Sequence, residues 1–145
     1  MLLGQYEGKV DEKGRISIPK KFREGLGEQI IATRGFENSL IIVPLTEWES
    51  LLEGTRGRPF IEYETRDTQR FLLGGASEII LDSKGRFILP SYLRTFAGIE
   101  NDVIFLGLSR YVEAWDLRVW EKYKKGLEEN IEGIAKRLTE KGEDK

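Results

Sequence analysis

A mixed α+β, β-rich fold built from two tandem copies of one small unit is predicted by three features of this 145-residue chain. The stretch Asp11-Glu12-Lys13-Gly14-Arg15-Ile16-Ser17-Ile18-Pro19 returns 71 positions later as Asp82-Ser83-Lys84-Gly85-Arg86-Phe87-Ile88-Leu89-Pro90, and Arg23 returns at the same offset as Arg94. Around each copy, short apolar runs and period-two alternations separated by Gly and Pro read as strands rather than helices. At the C-terminus, Trp120, Tyr123, Leu127, Ile131, Ile134 and Leu138 step by three and four, one apolar stripe of a long helix. Two units are too few for a solenoid, so a closed pseudo-twofold domain is expected.

The elements follow in order. Tyr6 to Val10 is a strand entering the first turn. Asp11 can hydrogen-bond the backbone two residues on, and Gly14 supplies positive φ. Arg15-Ile16-Ser17-Ile18 alternates as a half-buried strand, which Pro19 stops because it cannot donate to a ladder. Lys20 to Leu26 is a short helix with Phe22 and Leu26 inward. Gln29 to Thr33 and Ser39 to Val43 form a strand pair. Thr46-Glu47-Trp48-Glu49 has the form of a capping box, opening a helix through Leu52. Gly54 to Pro59 is a linker or mobile loop, and a helix over Thr65 to Leu73 ends at Gly74-Gly75.

The series then restarts: strand Ser77 to Leu81, turn Asp82 to Gly85, strand Arg86 to Leu89, stop at Pro90, short helix Ser91 to Ala97. A second strand pair, Val103 to Leu106 and Val112 to Trp115, is joined across Gly107. Trp48-Glu49 returns as Trp120-Glu121, one residue later than the first offset, the drift expected of duplication. The organisation is a first repeat with its Trp helix over 5–52, a linker and helix over 53–75, a second repeat over 76–120, and a C-terminal helix and tail over 121–145. The last helix carries mixed charges, and Gly126 and Gly133 each weaken it by about 1 kcal/mol relative to Ala. It therefore needs a packing partner, in its own domain or in a neighbouring subunit.

Composition narrows the chemistry. The chain has no Cys and no His, which removes disulfides, thiolates, Cys/His metal sites and imidazole catalysis. No metal and no cofactor are expected. There is no signal-peptide pattern and no apolar run of membrane-spanning length, so a soluble cytoplasmic protein is expected, with no membrane partner. An acidic dyad across a pseudo-twofold is the one catalytic arrangement open to such a chain. Here the cations following Asp11 and Asp82 would pair with them instead. No phosphate-binding, nucleophile or dinucleotide motif is present. A non-enzyme without a small-molecule substrate is expected.

The net charge is −2, so a nucleic-acid surface must be local. Between Lys9 and Arg23 there are six cations and two acids. Asp11, Gly14, Asp82 and Gly85 are the turn-forming residues, and a plain hairpin turn needs nothing more. Yet both copies also flank the glycine with cations. A two-stranded element tipped with Lys13 and Arg15, or in the second copy with Lys84 and Arg86, can enter the major groove of double-stranded DNA, Arg reading guanine through a bidentate fork. Lys20, Lys21, Arg23 and Arg94 fit phosphate contacts beside it, or the solvated face of a short helix. One such unit binds weakly, which makes oligomerisation part of the mechanism.

These motifs, in this order and at this length, resemble the MraZ family, regulators from the bacterial division and cell-wall gene cluster. Each D-x-K-G-R-x-x-x-P is similar to that family's Asp-x-x-x-Arg motif. Phe71-Leu72-Leu73-Gly74-Gly75-Ala76 and Gly4-Gln5-Tyr6 are typical of it too. The resemblance implies two SpoVT-AbrB-like swapped-hairpin units paired into a pseudo-twofold β-barrel, with short flanking helices and a longer C-terminal helix. It implies a ring-like homo-oligomer on the nucleoid that binds repeated promoter elements of its own operon, mostly as a repressor. Lys13, Arg15, Lys84 and Arg86 would read the DNA. The competing expectation is an oligomeric scaffold or protein-interaction module built on AbrB-like barrels.

Overall fold

A computed structural model describes residues 1–143; Asp144 and Lys145 of the predicted tail lie outside the described residues. The strands are β1 (Leu2–Lys9), β2 (Arg15–Ser17), β3 (Gln29–Arg34), β4 (Leu40–Pro44), β5 (Ser77–Ile80), β6 (Arg86–Ile88), β7 (Asp102–Ser109) and β8 (Val112–Asp116). The α-helices are α1 (Lys20–Leu26), α2 (Trp48–Leu51), α3 (Tyr63–Leu72), α4 (Ser91–Ala97) and α5 (Leu117–Glu143), with short 3₁₀ turns at Leu45–Glu47 and Glu53–Thr55.

Six strands form one antiparallel sheet in the order β1-β7-β8-β4-β3-β5, and β2 pairs with β6 in a separate ribbon. β1 does not fold back on β2 as a hairpin. It pairs along its whole length with β7 of the second half, while β5 pairs with β3 of the first. With β1 matched to β5, β3 to β7 and β4 to β8, as the sequence repeat matches them, the strand order reads the same from either end. Among the described residues no ladder joins β1 to β5, so the sheet is open where a barrel would close.

Alternation along the strands sends successive side chains to opposite faces, and both faces of the central strands are covered. One face, with Ile30, Ala32, Leu40, Ile42, Val103, Phe105 and Val112, packs against the inner side of the ribbon (Ile16, Ile18, Phe87, Leu89) and against Phe22, Leu26, Leu93 and Ala97 of α1 and α4. The other face is covered by α2 and α3 over Ile31, Ile41 and Val43, and by the start of α5 over Ile104, Leu106 and Trp115. The ribbon and α5 therefore lie on opposite sides of the sheet. A two-stranded ribbon is marginal alone. Each buried side chain on its inner face contributes about 1.5–3 kcal/mol, so the core holds it as a rigid platform.

Two local expectations are corrected. Thr46 makes no capping hydrogen bond, because Leu45–Glu47 is already a 3₁₀ turn and Thr46 sits inside it rather than before it. Gly107 does not join β7 to β8; the reversal runs through Ser109 (φ 76°) and Arg110. Gly107 instead faces Gly4 across the β1–β7 pair, where a Cβ would stand 2.6 Å from the Leu3 amide nitrogen. The glycine admits the first strand of one half into the sheet of the other. Along the Gly54–Pro59 stretch, Arg56 pairs with Glu49 and Glu53, and Arg58 with Glu62. The end of α3 docks on β3 through Arg34, which donates to the Phe71 and Arg70 carbonyls and lies over the Phe71 ring.

Candidate nucleic-acid interface

Both Asp-x-x-x-Arg stretches fold into the same turn. The Gly14 amide donates to the Asp11 carbonyl at 3.0 Å, and the Asp11 amide to the Arg15 carbonyl at 2.9 Å. The second copy repeats these bonds, Gly85 to Asp82 at 2.9 Å and Asp82 to Arg86 at 3.0 Å. Gly14 and Gly85 have φ of 77° and 72°, the left-handed region that costs Gly nothing. Asp11 Oδ1 accepts from the Lys13 and Arg15 amides, both at 2.9 Å, and its Oδ2 accepts from Arg15 Nε at 2.7 Å. In the second turn the distances are 2.9, 2.9 and 2.8 Å, with Asp82 as acceptor for Lys84, Arg86 and Arg86 Nε.

Both carboxyls are held below their ordinary value of 3.8, first by the backbone N–H of Arg15 or Arg86, then by the guanidinium and the lysine amide, against a desolvation penalty. Each pair thus stabilises the fold above pH 3.8, and that contribution drains away as pH falls below 3.8 through the lowered folded value. Asp11→Asn with Asp82→Asn should remove it. Thermal unfolding from neutral pH to about pH 2.5 should show the wild-type advantage shrinking only on the acid side. At neutral pH the double variant should also bind DNA severalfold more weakly, because its arginines lose their anchor.

The ion pair leaves part of each guanidinium unoccupied. The carboxylate occupies Nε, and among the described residues no hydrogen bond or ion pair engages Nη1 or Nη2 of Arg15 or Arg86. Those two nitrogens form the end of the guanidinium that makes bidentate contacts. The side chains keep only 28% and 29% of their surface exposed, so little rotamer freedom remains to be lost on binding.

The ribbon brings the two halves of the motif together. Its register pairs Arg15 with Ile88, Ile16 with Phe87 and Ser17 with Arg86. The Ile18 amide bonds the Gly85 carbonyl at 2.8 Å and the Leu89 amide the Gly14 carbonyl at 3.0 Å, which places a Lys-Gly turn at each end. With Ile16 and Phe87 inward, the outer face carries Arg15, Ser17, Arg86 and Ile88, and Lys13 and Lys84 stand exposed at the ends. Two strands about 4.8 Å apart fit a major groove about 12 Å wide. Ser17 and Ile88 were not among the expected binding residues, although their alternation with Ile16 and Phe87 already places them on the arginine face.

The remaining cations divide into two groups. Lys20 and Lys21 are exposed at the start of α1, beside the ribbon. Arg23 donates to the Ile18 carbonyl at 3.1 Å and covers Gly85, where a Cβ would meet its Cδ at 3.0 Å; the space around Gly14 is open. Arg94 turns to the end of its own helix, donating to the carbonyls of Ile99, at 2.9 Å, and Glu100. Among the described residues no group of three or more acidic side chains is placed to hold a metal, and no helix is long and apolar enough to cross a membrane.

The family description "MraZ protein, putative antitoxin-like" matches the chain twice, over residues 1–71 and 72–141. Similar chains include the protein named "Transcriptional regulator MraZ" from Caldanaerobacter subterraneus subsp. tengcongensis, 46% identical over 95% of this chain and 96% of that one. Proteins of the same name from Natranaerobius thermophilus (40% identical; 97% and 98% covered) and Acetivibrio thermocellus (43%; 95% and 96%) are also similar. The duplicated turn, its two matched segments and this full-length similarity place the chain in the MraZ family.

Proposed function

We propose that the chain is a sequence-specific DNA-binding transcriptional regulator that represses its own division and cell-wall operon by reading repeated promoter elements. The observation that carries this reading is the β2–β6 ribbon, on which Arg15 and Arg86 from distant parts of the chain share one outward face with Lys13 and Lys84 at its ends. The name that the relatives carry supports transcriptional regulation, and the ribbon supplies chemistry for it. Lys20 and Lys21 serve as phosphate contacts beside the ribbon, and Arg23 supports the second turn.

In this reading the repeats (5–52 and 76–120) are two swapped-hairpin units related by a pseudo-twofold, joined by 53–75 and followed by the helix over 121–145, with the sheet between them left open. The regulator acts as a ring-like homo-oligomer on the nucleoid, so that several ribbons engage successive elements at once and the effective concentration of the later contacts is high. The exposed apolar positions Ile131, Ile134 and Leu138, beyond the part of α5 packed on its own sheet, support self-association.

The test is a salt titration of binding to a duplex taken from upstream of the chain's own gene. The logarithm of affinity should fall linearly with the logarithm of salt, at about 0.9 per phosphate neutralised, and sedimentation of the same sample should show a species well above a dimer. A flat salt response would count against the basic ribbon as the interface.

A further inference from the structure

The two halves of the ribbon differ at one position that faces outward. Residues 17 and 88 occupy the same place in the sequence repeat, yet one is Ser and the other Ile. Ile88 is 67% exposed on a platform whose other large apolar side chains are buried. A single exposed aliphatic residue on a protein surface has no meaning by itself. This one stands directly across the ribbon from Arg15 and two residues from Arg86 on the same strand face, so it neighbours both arginines, as Ser17 does from the opposite corner. Whatever the arginines approach, Ile88 approaches too.

We propose that Ile88 is a specificity-determining residue that packs against the 5-methyl group of a thymine in the major groove, and that Ser17 makes the other half of the ribbon indifferent to that methyl. The inference rests on the DNA-binding reading above and deepens it. The major groove offers one apolar feature, the thymine methyl, beside the acceptor pair of guanine that an arginine fork selects. A branched aliphatic side chain with one cation across the ribbon and another along its own strand, all on one rigid face, is complementary to a short step containing both features. An aliphatic side chain among phosphates and amino groups alone would find no partner. Because Ser17 replaces Ile at the matching place, and Arg23 covers Gly85 while Gly14 is open, the footprint of one chain has a direction, despite the repeated motif.

The experiment uses the full chain and a duplex that it selects from a random-sequence library. Each thymine of that duplex is replaced in turn by deoxyuridine, which removes only the methyl group. The wild type should lose affinity about three- to fivefold, the size of one buried methyl, at one thymine on one side of each element. Ile88→Ser should abolish that sensitivity and Ile88→Val should keep it; at an exposed site both variants should unfold with the wild type. Equal sensitivity in wild type and Ile88→Ser, or no sensitive thymine at all, overturns the assignment of Ile88. Arg15→Glu with Arg86→Glu on the same duplex separates the two levels. If that variant loses binding while Ile88→Ser keeps full methyl sensitivity, only the Ile88 inference fails. If it binds normally, or if the wild type selects no sequence, the DNA reading fails and takes the inference with it.

Discussion

Arg15→Glu combined with Arg86→Glu should lower affinity for the chain's own upstream DNA by about a hundredfold or more, since two bidentate contacts at about 1–3 kcal/mol each are lost and two charges reversed. The effect should exceed that of losing any of the flanking lysines, because a lysine gives a point charge where an arginine gives a fixed fork. Each new glutamate would also face Asp11 or Asp82, so part of the loss would come from a loosened turn. Arg15→Gln with Arg86→Gln separates the two causes, for it removes the cation without adding a repelling anion. Sedimentation should give the same oligomer for wild type and both variants, because these arginines lie on the side of the sheet away from α5. Mobility-shift titration with the upstream duplex reads the loss.

Trp120→Ala should destabilise the chain by about 3–5 kcal/mol, the usual cost of removing a large buried aromatic, and lower its melting temperature by roughly 10 °C. Trp120 is only 6% exposed. Its ring packs 5.2 Å from Trp115 and 6.2 Å from Tyr123, seating the first turns of α5 on Ile104 and Leu106. Its indole nitrogen is buried without a hydrogen-bond partner. Trp120→Phe should therefore cost much less, as it keeps an aromatic ring and removes an unsatisfied donor. Calorimetry gives both values. Below its melting point Trp120→Ala should retain the methyl and salt dependence of each DNA contact, since α5 and the ribbon are separated by the core.

Much of this was legible in the residues. The duplication, the two turns, the short helices after Pro19 and Pro90, and the apolar stripe of α5 all rest on local chemistry within a few positions. Asp11 and Asp82 were readable as turn formers, and their pairing with Arg15 and Arg86 was the plain expectation for adjacent opposite charges. What the residues did not disclose was partnership at long range. Nothing local says that β2 will find β6 instead of β1, or that β1 will cross to β7, because main-chain pairing is nearly blind to side-chain identity. That exchange is what sets Arg15 beside Ile88 and Ser17 beside Arg86. Gly107 is opaque in the sequence for the same reason: its role comes from the backbone of Leu2 and Leu3, in the first strand of the chain. Arg34 at the end of α3 was invisible too, since its partners are carbonyls that α3 alone leaves unsatisfied.

The central claim, that the shared ribbon is the surface meeting DNA, is tested most directly by site-specific photo-crosslinking. A photoreactive side chain would be placed at Glu12 or Ser83, the exposed tips of the two turns, and at Glu129, exposed on α5 across the sheet. Both tips should crosslink to bases of the upstream duplex, in the major groove, and Glu129 should not. Crosslinks from Glu129 with none from either tip would show that the DNA lies on the other side of the molecule.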